Sequence, residues 1–182
     1  MSAIVVSDVF GKTSALISLC EELKVSIIVD PYNGVDMGFK SEAEAYAYFI
    51  ENVGFNAYLA ILQKTIESNY PNSILIGFSV GASAIWALSD KVSSNVVKHA
   101  ICYYGSQIRN LTEVKPKFAI ELVFPKSEPH FDVLELQSKL SKKQNVTAIK
   151  VAHLHGFMNY YSNNYNQVAY NEQLKLLCLH VS

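Results

Sequence analysis

Arginine is nearly missing from this chain: Arg109 is the only one. A site that grips phosphate or carboxylate through guanidinium forks therefore has little to work with. Excess charge is missing too. Fifteen basic and sixteen acidic residues leave a net charge of −1, so bulk electrostatics call for no nucleic-acid partner. Cysteine is scarce and odd in number. Cys20, Cys102 and Cys178 stand far apart in apolar surroundings, which excludes a disulfide framework or a metal-ligating cluster and suits buried reduced thiols. No apolar run reaches the ~20 residues of a membrane helix. The N-terminal "MSAIVVSDVFGK" has no basic n-region, so no signal peptide is read and a cytoplasmic protein is expected. Nothing calls for a metal or an organic cofactor.

Half of the 182 residues are hydrophobic, enough to bury one core, and one domain over 1–182 is expected. Six short runs rich in β-branched residues read as strands: 4–8, 25–30, 74–78, 100–104, 118–124 and 147–152. They are apolar without alternation, as strands of a parallel sheet covered on both faces are. Helical periodicity occupies 13–23, 41–52, 55–70, 82–88, 132–140 and 166–179, with Ser41 and Glu44 at capping-box spacing. Strands alternating with helices predict an α/β fold, a doubly wound, mostly parallel six-stranded sheet with helices on both faces. There is no internal repeat. "NYYSNNYNQ" at 159–167 is compositionally biased but short.

In such sheets functional groups collect where strands end. The polar residues there are Asp8, Asp30, Ser79, Glu128 and the pair His153 and His155. Ser79 stands in Gly77-Phe78-Ser79-Val80-Gly81, between an apolar strand and a small-residue helix, which is the context of a nucleophile elbow. The residues two before and two after the serine are expected to crowd together, so both must be glycine. The turn would present the Ser79 hydroxyl and the Val80 N–H to one space, at a helix N-terminus suited to an oxyanion. A glycine-rich turn with an incidental serine is the plain alternative.

A serine needs a base, and "VAHLHGFMN" offers two histidines. His155, just past the last strand, is favoured over His153. The order serine, acid, histidine is that of α/β hydrolases. The acid should lie in "FPKSEPHFD", where Glu128 is favoured and Asp132, at a helix start, is the alternative. A second oxyanion donor is expected after the first strand, at the Val9 N–H. Phe10, Tyr32, Phe78, Tyr104 and Phe157 are candidates to line an apolar pocket.

Taken together, "IVVSDVFGKTS", "IGFSVGASAIW", "AICYYG" and "HGFMNYYSNNYNQVAY" resemble four segments of the dienelactone hydrolase family of α/β hydrolases, in order and over nearly the whole chain. The resemblance implies Ser79 as nucleophile, His155 as base and the N–H groups of Val9 and Val80 as oxyanion hole. It implies a minimal hydrolase core with strand order 2-1-3-4-5-6. It also puts Asp8 where the family has a carboxylate touching the nucleophile at rest. Three features depart from the family pattern. Serine replaces cysteine at the elbow, Pro125-Lys-Ser-Glu128 replaces a Gly-x-x-Asp, and Met158 and Asn159 follow Phe157 where an arginine stands. A small neutral or apolar ester, lactone or thioester is therefore expected as substrate. Two other readings compete. A hydrolase-fold scaffold without activity is suggested by the altered acid loop. A P-loop is suggested by Gly11-Lys12-Thr13, with Asp30 ending a Walker B-like strand, but it lacks a glycine at Val6.

Overall fold

The computed structural model describes residues 2–68 and 71–181. Six strands form one sheet: β1 (Ala3–Val6), β2 (Ile27–Val29), β3 (Ser73–Phe78), β4 (Val97–Tyr103), β5 (Ala119–Phe124) and β6 (Val146–Lys150). Every pairing is parallel and the order is β2-β1-β3-β4-β5-β6. The expected strand order and fold class are those observed. Among the described residues the α-helices α1 (Ser14–Glu22), α2 (Glu42–Asn52), α3 (Phe55–Glu67), α4 (Val80–Leu88) and α5 (Val133–Leu140) lie between strands, and α6 (Gln167–Val181) follows β6. The end of the third expected helix, Asn69 and Tyr70, lies outside the described residues.

The unbroken apolar strands follow from two cores, one on each face. Ile4, Val6, Leu75, Ala100, Cys102 and Leu122 point to the face covered by α2 to α5. Val5, Ile74, Ile76, Ile101, Tyr103 and Val123 point to the face covered by α1 and α6. With a side-chain period of two, both halves of each strand must be apolar. The central elements show this most fully: all residues of β3 and of α4 are buried. Trp86 sits in that core with its Nε1–H satisfied by the Leu111 carbonyl at 2.9 Å.

Two-sided cover fails at β6. Thr147, Ile149 and Lys150 are exposed, because β6 is the edge strand. Its outer backbone is partly met by α5, whose Gln137 Nε2 donates to the Ala148 carbonyl at 2.9 Å.

Helix starts are fixed locally. Thr13 caps α1 and Ser41 caps α2, each accepting a backbone N–H at 3.2 Å. Asp132 Oδ1 accepts the N–H groups of Leu134 and Glu135 to cap α5. Thr13 and Asp30 of the P-loop reading thus have structural partners. The Thr13 hydroxyl is a cap, and Asp30 accepts the N–H groups of Tyr32 and Gly34 in a tight loop.

Candidate active site

Ser79 bridges β3 and α4 with φ +49° and ψ −111°, a conformation costing roughly 1–3 kcal/mol. Its backbone is held from both sides. Its N–H donates to the Tyr103 carbonyl at 2.9 Å, and its carbonyl accepts from the Ser83 N–H and hydroxyl. Both flanking glycines are required, as expected. A Cβ on Gly77 would lie 2.8 Å from the Ala82 nitrogen, whereas a Cβ on Gly81 would strike the Val6 and Ser7 carbonyls at the end of β1. The elbow therefore sits tight against the neighbouring strand.

The Ser79 hydroxyl lies 3.0 Å from His155 Nε2. On the other side of the ring, His155 Nδ1 lies 2.7 Å from Glu128 Oε1. The neutral tautomer protonated at Nδ1 satisfies both contacts: Nδ1–H donates to Glu128, and Nε2 accepts from the hydroxyl. The Glu128 side chain is 6% exposed and that of His155 17%. Burial by itself lowers the His155 pKa. The Glu128 hydrogen bond and the charges of Glu128, Glu42 and Asp8 outweigh it, so the pKa is raised above the ordinary 6.5. Asp132 is spent on its helix cap. His153 is apart from this cluster. Its ring packs on Phe157 at 5.3 Å, and its carbonyl accepts the Lys126 N–H.

The loop after β1 is wired around Val9. The Asp8 carbonyl accepts from the Ser7 hydroxyl at 3.0 Å and the Gly11 N–H at 3.2 Å. Because the peptide is planar, this fixes the opposite direction for the Val9 N–H. The Val9 carbonyl accepts from the Tyr32 hydroxyl at 2.7 Å, and the Tyr58 hydroxyl lies 2.9 Å from the Ser7 carbonyl. Val9, Ser79 and Val80 line one cavity of about 280 Å³. Its other walls include Tyr46, Phe49 and Ile50 of α2. Sequence reasoning missed these, because their helical pattern says only that α2 has an apolar side. Of the aromatic residues expected in a pocket, Phe10 and Tyr104 line the cleft of Ser79 and His155, and Phe78 and Tyr104 line a cavity of about 330 Å³ together with tyrosines of the 159–167 segment. Tyr32 holds the Val9 carbonyl, and Phe157 is core.

Asp8 lies in a narrow cleft with Ser79 and His155. Its oxygens accept from the Phe10 N–H at 2.9 Å and from Asn159 Nδ2 at 2.5 Å. The biased segment is thus structural wiring: Asn159 reaches Asp8, and Asn164 Nδ2 donates to the His155 carbonyl. Gly156 makes the turn beneath the histidine at φ +83°, where a Cβ would strike the Ser162 hydroxyl.

Desolvation pushes the Asp8 pKa up to about 6, against lowering by the Phe10 and Asn159 hydrogen bonds. The folded pKa lies above the unfolded value of 3.8, so folding favours the protonated acid. The protein is relieved of a buried charge at low pH and burdened by it as pH rises through 6. At about 1.4 kcal/mol per pH unit, the burden is about 3 kcal/mol. Asp8→Asn does not titrate. Its stability relative to wild type, from urea melts, should rise by up to that amount between pH 4 and pH 7. A constant difference across that range would show that Asp8 carries no such burden.

No helix among the described residues is long and apolar enough to cross a membrane. No protein-family model matches the chain. It is 36% identical over 142 residues to the uncharacterized protein YczH of Bacillus subtilis, an alignment covering 76% of this chain and 68% of that one. Among solved structures it is similar to a Klebsiella pneumoniae protein assigned as a dienelactone hydrolase, with TM-score 0.77, 14% identity, and 98% of this chain and 85% of that one covered. It is also similar to a dienelactone hydrolase from Anabaena variabilis (TM-score 0.66, 12% identity, 98% and 84% covered). A Pyrobaculum calidifontis esterase matches at TM-score 0.58 and 13% identity, over 100% of this chain and 76% of that one. The chain thus belongs to one family with YczH, on the dienelactone hydrolase-like α/β-hydrolase fold.

Proposed function

We propose that the protein is a serine hydrolase cleaving a small neutral or apolar ester, lactone or thioester through an acyl-serine intermediate. The observation that carries this reading is the relay Ser79 Oγ–His155 Nε2 at 3.0 Å and His155 Nδ1–Glu128 Oε1 at 2.7 Å. The names of its structural neighbours, dienelactone hydrolases and an esterase, agree with it.

In this reading Ser79 Oγ attacks the substrate carbonyl carbon while its proton passes to His155 Nε2. Negative charge gathers on the carbonyl oxygen, where the N–H groups of Val9 and Val80 receive it. Among the described residues neither N–H is used in another hydrogen bond. The carbonyl re-forms as the bond to the leaving oxygen or sulfur breaks, and His155 protonates that group. His155 then takes a proton from water, the hydroxide attacks the acyl carbon, and Ser79 is released with its proton restored. Glu128 holds the ring and balances the imidazolium charge. The cavity beside Ser79 is walled by Phe49, Ile50, Phe55 and Leu111, which suits an apolar acyl or alcohol part. Arg109 does not serve a substrate carboxylate. Its guanidinium donates to the Ser106 carbonyl at 2.7 Å and lies 5.5 Å from the centre of the Phe131 ring.

A fluorophosphonate probe should label the folded protein at one site, and peptide mapping should put the adduct on Ser79. Folded protein that stays unlabelled through prolonged exposure would favour a binding module on the hydrolase fold.

A further inference from the structure

Glu42 is the first residue of α2, and helix starts commonly carry an acid that complements the dipole. Its neighbour Glu44 has that kind of duty: Glu44 Oε2 accepts the Lys40 N–H at 2.7 Å while Ser41 caps the Glu44 N–H. The Glu42 side chain makes no hydrogen bond among the described residues. Its Oε1 lies instead 3.7 Å from His155 Nε2, the nitrogen that faces the Ser79 hydroxyl. The side chain is 45% exposed, so it stands between solvent and the cleft that holds Ser79, His155 and Asp8.

The charges that face the His155 ring are those of Glu128, Glu42 and Asp8, all carboxylates. Among the described residues no lysine or arginine lines the triad cleft or the cavity beside Ser79. A second negative charge arriving there meets an uncompensated field in a partly desolvated place. The same helix supplies the apolar wall of the cavity through Tyr46, Phe49 and Ile50. Shape and charge at the mouth are therefore set by one element.

We infer that Glu42 is a specificity-determining residue that turns anionic acyl substrates away from Ser79 and admits neutral and cationic ones. This rests on the serine-hydrolase reading above. A substrate anion beside Glu42 is repelled in the ground state and again as the oxyanion forms. A cation there is attracted. Glu42 also faces the imidazolium formed during attack, so its removal should slow neutral substrates modestly while relieving the barrier to anionic ones. The ratio of the two, not either rate, is the signature.

The test uses acetyl thioesters of three thiols of matched size: neutral, carboxylate-bearing and quaternary-ammonium-bearing. At low salt the wild type should rank them cationic, neutral, anionic by kcat/KM. Glu42→Gln should raise the anionic-to-neutral ratio about tenfold, and Glu42→Lys should invert the cationic and anionic ranks. High salt should compress the wild-type differences. Thermal melts check that both variants are folded, and the isosteric glutamine variant stands on its own if the lysine variant is not. The His155 Cε1–H resonance should titrate at lower pH in Glu42→Gln than in wild type, a change that a helix-dipole role alone would not produce. An enzyme that cleaves all three thioesters with ratios unmoved by the glutamine variant overturns the inference and leaves the hydrolase reading standing. A wild type that cleaves none of them and does not react with the fluorophosphonate probe overturns both.

Discussion

Ser79→Ala should reduce turnover of a small activated ester by about 10³-fold or more, with the fold intact. The alanine removes the hydroxyl that lies 3.0 Å from His155 Nε2, while the strained elbow backbone keeps its holds from Tyr103 and Ser83. His155→Ala should cost about as much, because the hydroxyl at pH 7 is a weak nucleophile without a base. The double variant should be scarcely worse than either single one, since the two groups act as one unit. His153→Ala is the control. Its ring touches Phe157 and lies outside the relay, so the loss should be a few-fold at most. Steady-state rates on one p-nitrophenyl ester measure all four. An alanine variant at Ser79 that keeps full activity would remove the serine from the mechanism.

The control matters because the two histidines are two residues apart, and "VAHLHGFMN" favours His155 only by its place past the last strand. The separation comes from the turn. Gly156 takes φ +83°, Asn164 ties down the His155 carbonyl, and the ring reaches Ser79 across 76 residues of sequence. The strands, by contrast, were legible where they are apolar on two faces; the polar start of β4, Lys98 and His99, was not read as strand, and β6, at one edge of the sheet, is the most exposed. The elbow was legible because a strand, two glycines and a small-residue helix are all local features. What was not legible depends on chain segments that meet only when folded. Tyr58, on α3, fastens the Ser7 carbonyl, and Tyr32 fastens that of Val9. Either reads in the sequence as one more core aromatic. Glu42 reads as an ordinary first-turn acid, and only the way α2 lies over the cleft brings it to His155. Asn159 reads as part of a compositionally biased segment, and its partner Asp8 is 151 residues away.

Glu128→Gln should lower kcat on the same ester by about 10³- to 10⁴-fold, while Asp132→Asn should leave it within a few-fold of wild type. The two acids are four residues apart, and the sequence leaves either able to support the histidine. Their surroundings differ. Glu128 is almost wholly buried, and its Oε1 lies 2.7 Å from His155 Nδ1. Asp132 is exposed and accepts the first N–H groups of α5. Glutamine preserves the shape at 128, but its amide can donate to Nδ1. It then favours the tautomer with the proton on Nε2, which cannot accept from Ser79. It also leaves the imidazolium of the attack step without its buried counter-charge, so the fall should appear in kcat more than in KM. The Asp132 variant should keep its cap, since asparagine caps about as well as aspartate, and lose only the charge at the helix start, roughly 0.3–1 kcal/mol, read as a slightly lower urea midpoint with unchanged kinetics. If Asp132→Asn abolished turnover and Glu128→Gln did not, the carboxylate behind the histidine in solution would be the helix-cap residue, and the 2.7 Å contact would not be the working one.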